Sequence, residues 1–247
     1  MRPVLGPFLD AAADLLLGAA CPGCGDPAGR LCSDCRRAVR AGPVGPVGRL
    51  ACPGLPLWSA GLYAGPLAAV IVAAKDGGRP ELCVPLGERL AEAVQGLWAE
   101  LSRAESPPLP LSLVPVPSAA TAVRRRGFDF GLVLARRAAS RLAGSGLTVR
   151  VRPALTPVRA VADQSGLAAA DRRANLAQAW RARPAGLSGH CLVLDDIVTT
   201  GASLAEAARA LSAAGQRVWG AATVAATADL GPVRGLDRAP ARPSPGA

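Results

Sequence analysis

The chain has 247 residues, enough for one α/β domain of ordinary size and a small additional segment. It carries 28 basic and 18 acidic residues, and the resulting charge of +10 favours anionic ligands such as phosphate, pyrophosphate or nucleic acid. Aromatic residues make up only 3% of the chain, which argues against a protein that stacks single-stranded bases on exposed rings.

The N-terminal residues 3–17 predict a short amphipathic helix. The apolar stretch before Cys21 resembles a lipoprotein signal that ends in a modifiable cysteine. Against that interpretation, Asp10 and Asp14 interrupt the apolar stretch and only one basic residue precedes it. No run of 18 apolar residues occurs, so we expect no transmembrane helix and a cytoplasmic protein.

Two CxxC pairs follow, Cys21–Cys24 and Cys32–Cys35, separated by seven residues. Two such halves complete a tetrahedral thiolate site that suits Zn²⁺, with a structural or partner-docking role because a closed site leaves no open position for catalysis. The alternatives are two reduced pairs without a metal, or a redox CxxC. The seven cysteines are odd in number and clustered, which excludes a secreted disulfide framework.

Composition divides the chain into three parts. Residues 1–45 hold the predicted helix and the cysteine pairs, and the Gly- and Pro-rich residues 41–57 are predicted to form a linker. Residues 46–227 form the main domain, and the Arg-, Pro- and Gly-rich residues 228–247 are predicted to be a disordered tail.

The first half of the main domain alternates apolar runs with turns. Residues 58–72 predict a strand or helix, residues 85–101 a helix, residues 111–117 a buried strand and residues 147–151 a further strand. Cys83 and Cys191 fall in apolar contexts, which predicts that both are core thiols.

Basic side chains follow two of these elements. Residues 118–127 are predicted to be a loop carrying Arg124, Arg125 and Arg126 before a helix that begins near Phe128. Guanidinium groups at the carboxyl edge of a parallel sheet suit pyrophosphate, which they can bind in bidentate fashion. The alternative is that the three arginines form only a solvent-exposed basic face of a surface helix. Lys75 is the only lysine of the chain, either an accident of sampling or a residue with a specific task.

Residues 155–180 are too long for a plain connection, and segments of this length are typically lids or binding elements. Gln164, Arg172 and Asn175 supply polar groups there and are candidates for contacting an acceptor.

The segment that organises the chemistry is 191–215. The apolar residues 191–194 predict a strand buried on both faces, and Asp195 and Asp196 follow it. A loop of small residues comes next, and the apolar spacing from Leu204 predicts a helix. A last strand is predicted at 218–224.

Small residues between a strand and a helix can cradle a phosphate, because their N–H groups and the helix dipole both favour an anion. The preceding carboxylates can accept hydrogen bonds from sugar hydroxyls or hold a hard cation. A ribose carrying a 5′-phosphate would satisfy both halves. The alternative is an ordinary strand-to-helix turn capped by Ser203.

The stretch LVLDDIVTTGAS resembles the 5-phosphoribosyl-1-pyrophosphate (PRPP) motif of type I phosphoribosyltransferases. The order of motifs along the chain is similar to that of the ComF competence-protein family, over nearly the whole chain except the tail. The motifs are, in order, the CxxC pairs, Tyr63-x-Gly65, Lys75, VPVP, RRRGF, the Gln164 to Asn175 segment and DDIVTTGAS. One departure is that Asp129 and Phe130 stand where the family usually has Asn-Gln.

The resemblance implies a type I phosphoribosyltransferase fold, a parallel sheet flanked by helices with a hood, plus a small N-terminal Cys₄ zinc knuckle. It implies transfer of a phosphoribosyl group from PRPP to an unidentified acceptor nitrogen, with Mg²⁺ bridging pyrophosphate and ribose oxygens. The implied catalytic residues are Asp195, Asp196, Arg125 and Arg126. The implied PRPP-binding residues are Thr199, Thr200, Gly201, Ala202, Ser203 and Lys75.

Two further readings stay open. The domain could bind PRPP or a nucleotide without turnover and act as a partner of competence or DNA-processing proteins, as the zinc segment and the positive charge would suit. Direct nucleic-acid binding through the arginines lacks a supporting motif, because the CxxC pairs lack the histidines of a DNA-reading finger. Homodimer formation is also open, and His190, the only histidine, is predicted to be structural.

Overall fold

The computed structural model describes residues 20–27, 30–48, 54–105, 109–158, 178–183, 185–187 and 190–230. The helices of this part are α1 Ser33–Ala41, α2 Gly65–Lys75, α3 Cys83–Ala104, α4 Ala120–Arg126, α5 Phe130–Ala143 and α6 Ala202–Ala213. The strands are β1 Gly45–Pro46, β2 Leu57–Ser59, β3 Leu111–Pro115, β4 Val149–Val151, β5 Leu155–Pro157, β6 Trp180–Ala182, β7 His190–Val198 and β8 Arg217–Ala226. Short 3₁₀ helices cover Pro80–Leu82 and Ala228–Leu230.

Six strands form one sheet in the order β1-β2-β8-β7-β3-β4, parallel except for the antiparallel edge strand β1. Strands β5 and β6 pair antiparallel in a separate two-stranded sheet. The predicted α/β class with a mostly parallel sheet is therefore confirmed. Among the described helices, none has the length and apolar character needed to cross a membrane.

The sheet separates two hydrophobic cores, because successive side chains of a strand point to opposite faces. In β7, Leu192 and Leu194 belong to the core beneath α2, α3 and α5, whereas Cys191 and Val193 belong to the core beneath α6 and β6. Cys83 and Cys191 are fully buried, as predicted.

The cysteine segment, which carries Cys21, Cys24, Cys32 and Cys35, contributes residues to the first of these cores. Cys21, Cys35 and Val39 are buried in the same cluster as Val70 and Ile71 of α2. The segment therefore packs directly on the helix that ends at Lys75.

Several predicted boundaries differ in the structure. The predicted linker 41–57 contributes β1 and the start of β2, because its backbone pairs at the sheet edge. The prediction of a loop at 118–127 was wrong, because most of this segment forms α4. All residues of α4 are at least partly exposed, so the sequence there lacks the apolar periodicity of a packed helix. Strand β7 does not stop at Leu194 but continues through both aspartates to Val198.

The ends of the predicted binding element 155–180 form β5 and β6. Its candidates Gln164, Arg172 and Asn175 lie outside the described residues, as does the predicted helix 3–17. The first residues of the predicted tail form the 3₁₀ helix Ala228–Leu230, in which Leu230 is buried, and the rest of the tail lies outside the described residues.

Candidate functional site

The two aspartates lie within the carboxyl half of the central strand β7. The Asp196 N–H donates to Asp195 Oδ1 at 2.9 Å, and the Ile197 N–H donates to Asp196 Oδ1 at 3.0 Å. Asp195 lines a pocket formed with the loop before α6, whereas Asp196 is paired with α2. The strand thus offers one carboxylate to each of two neighbouring elements.

Lys75, the last residue of α2, forms an ion pair with Asp196 Oδ2. Burial alone would raise the pKa of Asp196, but the Lys75 ammonium holds that pKa below its ordinary value. Burial and the neighbouring Asp196 charge raise the pKa of Asp195 well above its ordinary value. Burial would lower the pKa of Lys75, but Asp196 raises it. The pair is therefore one fixed charge and one carboxyl group that holds a proton more readily, a combination that can accept and donate hydrogen bonds.

The loop of small residues from Thr199 to Ser203 lines the same pocket as Asp195. Gly201 has a φ of 75°, in the left-handed region that side chains disfavour, and α6 begins at the next residue. The Thr200 Oγ1 accepts a hydrogen bond from the Ala202 N–H at 3.3 Å. The following N–H groups belong to the first turn of α6, where a helix supplies no acceptor of its own and an anion is favoured. The pocket lining includes Thr199, Thr200, Gly201, Ala202 and Ser203.

One arginine of α4 contacts the turn that follows α2. Arg125 pairs with Asp76 at 2.9 Å, in the turn that follows α2. The Arg126 guanidinium carbon lies 5.9 Å from the Phe130 ring centroid, and its Nε and Nη1 are buried without a hydrogen-bond partner among the described residues. The Arg126 charge also opposes the raised pKa of Lys75. The structure therefore links Lys75 to Asp196 and Arg125 to Asp76, while Asp195 and residues 199–203 line one pocket.

The two residues that depart from the ComF pattern have local structural roles. Asp129 Oδ1 accepts from the Leu132 N–H at 3.2 Å and from the Ser118 hydroxyl at 2.9 Å, so it caps the N-terminus of α5. Phe130 is fully buried at the start of that helix.

The four N-terminal cysteines converge on one point, as their spacing predicted. The Sγ atoms of Cys21, Cys24, Cys32 and Cys35 all lie within 4.8 Å of one another, and those of Cys24 and Cys32 are 3.8 Å apart. Tetrahedral Zn²⁺ with Zn–S bonds of about 2.3 Å requires sulfurs roughly 3.8 Å apart, so the donor set fits that metal.

Backbone donors stabilise the thiolate of Cys21, whereas burial and neighbouring thiols raise the pKa of Cys35. The Gly23 and Cys32 N–H groups each donate to Cys21 Sγ at 3.4 Å. Burial would raise the pKa of Cys21, but these donors lower it to about 6. A side chain at position 23 would place its Cβ 2.6 Å from Cys35 Sγ, so the knuckle requires glycine there.

Some polar residues that position these elements gave no signal in the sequence. Arg89 of α3 is buried and donates to the carbonyl oxygens of Arg40, Gly42 and Ala60, which ties the cysteine segment to the main domain. Arg89 lies among buried, mostly apolar residues of α3, and nothing in this sequence context indicates its role. His190 accepts a hydrogen bond from the Trp219 Nε1–H at 3.1 Å, which fits the predicted structural role.

A second such residue lies under the loop pocket. Glu206 of α6 is buried and accepts hydrogen bonds from Arg209 Nε at 2.7 Å and the Trp180 N–H at 3.3 Å. This connection joins α6, which carries the loop, to β6.

Comparison with known proteins finds relatives that span most of the chain. The chain is 33% identical over 202 residues to the DNA utilization protein YhgH of Salmonella typhi, covering 81% of this chain and 82% of the relative. It is 31% identical over 202 residues to the DNA utilization protein YhgH of Escherichia coli K12, with the same coverage of both chains.

The chain belongs to the YhgH family. Membership follows from similarity over four-fifths of both chains. No protein-family model matches the chain. The YhgH relatives are named for DNA utilization, and their names carry no statement about a catalysed reaction.

Proposed function

We propose that the chain binds PRPP together with Mg²⁺ and transfers its phosphoribosyl group to an acceptor nitrogen. The observation that carries the proposal is the pocket shared by Asp195 and the Thr199 to Ser203 loop, next to the residue Asp196 that pairs with Lys75. The type I phosphoribosyltransferase fold and membership in the ComF family are part of this proposal.

Each part of PRPP has a chemically matched group at this edge of the sheet. The 5′-phosphate is assigned to the loop, because the N–H groups of the first turn of α6 favour an anion. The ribose hydroxyls are assigned to Asp195 and Asp196, which can accept their hydrogen bonds. The pyrophosphate is assigned to Arg125, Arg126 and Lys75. The Nε and Nη1 of Arg126, which have no hydrogen-bond partner in the described part of the chain, are donors of the required kind.

The proposed reaction breaks the bond between ribose C1 and the pyrophosphate oxygen and forms a bond from C1 to the acceptor nitrogen, which then loses a proton. Arg125, Arg126 and Lys75 stabilise the charge that develops on the departing pyrophosphate. The two aspartates hold the sugar in place. The charge of Asp196 favours the cationic character of the ring in the transition state. When bound, Mg²⁺ would neutralise pyrophosphate charge while keeping several waters, and carboxylate oxygens such as those of Asp196 are ligands that suit it.

The cellular role that we propose is in DNA uptake or processing. It rests on the relatives named DNA utilization protein and on the resemblance to ComF. The zinc-loaded cysteine segment, packed on α2, is proposed to be structural or to dock a partner of that machinery.

The test is pyrophosphate release from Mg·PRPP with a panel of bases, alongside calorimetric titration of Mg·PRPP into the zinc-loaded protein. Saturable binding with release that Asp195→Asn abolishes supports the proposal, while Asp229→Asn, in the 3₁₀ helix after β8, serves as the control. Binding without release from any base would instead favour a non-catalytic PRPP-binding protein. Absence of binding overturns both.

A further inference from the structure

A groove lies between the cysteine segment and the start of α3. One wall carries Arg30, Leu31 and Arg36 of the cysteine segment, and the other wall comes from residues 79–85. Its volume is about 510 Å³, within the range of roughly 300–1,000 Å³ that is typical of clefts that hold ligands. None of the described residues that line this groove also lines the pocket of Asp195, so it is a separate candidate site.

The two walls of the groove are fixed to each other. Leu31 and Leu82, one from each wall, are buried in the same hydrophobic core. The Arg79 Nη1 group donates a hydrogen bond to the Ala20 carbonyl oxygen at 3.2 Å, which also joins the two walls. A partner that binds here would therefore need to order only its own chain, which favours affinity.

The groove combines an exposed aliphatic side chain with exposed arginines. Val84, in the first turn of α3, is 42% exposed. Arg30 and Arg36 are exposed and form no ion pair among the described residues, whereas the neighbouring Arg37 pairs with Asp34. The groove is therefore chemically suited to a ligand that is both anionic and apolar.

We propose that this groove docks a segment of a partner protein in which carboxylate side chains are interspersed with aliphatic ones. The carboxylates pair with Arg30 and Arg36, whose planar guanidinium groups can bind them in bidentate fashion. The aliphatic side chains cover Val84. Of the two roles proposed above for the cysteine segment this is the docking role, and it depends on neither PRPP binding nor turnover.

A nucleic acid fits the groove less well than such a segment. Its phosphates could pair with the arginines, but its backbone offers little apolar surface to cover Val84. The described lining residues include no aromatic ring on which a base could stack. Glu81 also lines the groove and, although Arg79 pairs with it at 3.0 Å, its side chain is 60% exposed and would repel a continuous row of phosphates.

The probe for the test is the fluorescently labelled peptide ELDELLED. Fluorescence anisotropy at physiological ionic strength measures its binding to the full, zinc-loaded chain. Two control peptides each lack one of the two kinds of group: ESDESSED has serine in place of every leucine, and QLNQLLQN has amides in place of the carboxylates. Both are expected to bind at least about five-fold more weakly.

Two variants of the groove are compared with matched variants outside it. Arg36→Glu is expected to weaken binding of ELDELLED about five-fold, the upper end for an exposed ion pair. Arg37→Glu is its control, because it makes the same charge change on the same helix outside the groove. Val84→Ser is expected to weaken binding about three-fold by removing apolar contact, with Val72→Ser, at a 48% exposed position of α2, as its control.

The docking is supported if each groove variant weakens binding more than its control does. Equal effects of Arg36→Glu and Arg37→Glu would overturn it, because the attraction would then come from the overall charge of +10. A single-stranded oligonucleotide that displaces the peptide and loses affinity in Arg36→Glu alone would reassign the groove to nucleic acid. A dimer in analytical ultracentrifugation that Arg36→Glu alone dissociates would reassign it to a second copy of the chain.

Titration of Mg·PRPP separates this docking from the proposed function. Peptide binding without PRPP binding refutes the phosphoribosyl transfer alone. PRPP binding without peptide binding refutes the docking alone.

Discussion

Replacing Arg89 with methionine tests how the cysteine segment is attached to the main domain. The Arg89 side chain is 2% exposed, and its guanidinium donates to three carbonyl oxygens, two at the end of α1 and one after β2, as well as to Glu92. Burial lowers the pKa of Arg89, while the Glu92 carboxylate opposes that change. Methionine fills similar space but leaves these carbonyls without a donor.

The size of the effect follows from two opposing contributions. Each hydrogen bond from a charged donor contributes about 1.5–3 kcal/mol, so three of them represent roughly 5–9 kcal/mol. Relief from burying the guanidinium offsets part of this, and breaking a buried charge network typically has a net cost of about 3–5 kcal/mol. For a domain of this size, each kcal/mol lowers Tm by about 2–4 °C, so we expect a fall of roughly 10 °C.

Differential scanning fluorimetry measures the Tm, and hydrogen exchange locates the change. Exchange is expected to rise in α1 more than in the central strand β7. Arg103→Met on the exposed part of the same helix is the control and should change stability by less than about 0.5 kcal/mol. A Tm for Arg89→Met within about 2 °C of the control would refute the reasoning.

Three further changes follow from other parts of the structure. Cys24→Ser should abolish stoichiometric zinc, measured by atomic emission, while Cys83→Ala should retain it; equal zinc in both would contradict a Cys₄ site. Burial would raise the pKa of Glu206, but Arg209 holds that pKa below its ordinary value. The stabilisation by Glu206 is therefore present above the ordinary pKa and lost as the pH falls through the lower folded-state pKa. The acid-induced fall in Tm should therefore be shallower in Glu206→Gln, and parallel curves would count against the pair. Gly201→Ala places a side chain at a φ of 75°, which costs about 1–2 kcal/mol, and should weaken Mg·PRPP binding by at least about five-fold in calorimetry; unchanged affinity would mean that the loop does not contact the ligand.

The buried strands were predictable because their signal is local. Residues 191–194 are a continuous apolar run and residues 111–115 are apolar except for Ser112, and they lie in the neighbouring parallel strands β7 and β3. The continuation of β7 through two aspartates was not predictable, because it depends on pairing with β8 and on the counterion supplied by Lys75. A carboxylate in a strand interior is unfavourable without such a partner.

The site residues were likewise predictable where the signal is local and not where it depends on tertiary contacts. The acid pair and the small-residue loop are contiguous, so the sequence could place them at one strand-to-helix junction. Lys75 lies 121 positions from Asp196, and its sequence signals were its being the sole lysine and its place in the ComF-like order of motifs, neither of which predicts the pairing with Asp196. The pairing of Asp76 with Arg125 joins residues 49 positions apart and has no sequence signature, because exposed ion pairs depend on which elements the fold brings together.

The central claim is that the Thr199 to Ser203 loop and the aspartates of β7 together hold a ribose 5-phosphate. Its most direct test is calorimetric titration of Mg·PRPP into folded, zinc-loaded protein, repeated with Asp196→Asn. We predict saturable binding of one PRPP per chain, weakened at least about ten-fold by the substitution because a charged hydrogen-bond acceptor is lost. Absence of heat in the unmodified protein, or equal affinity in the variant, would contradict the account.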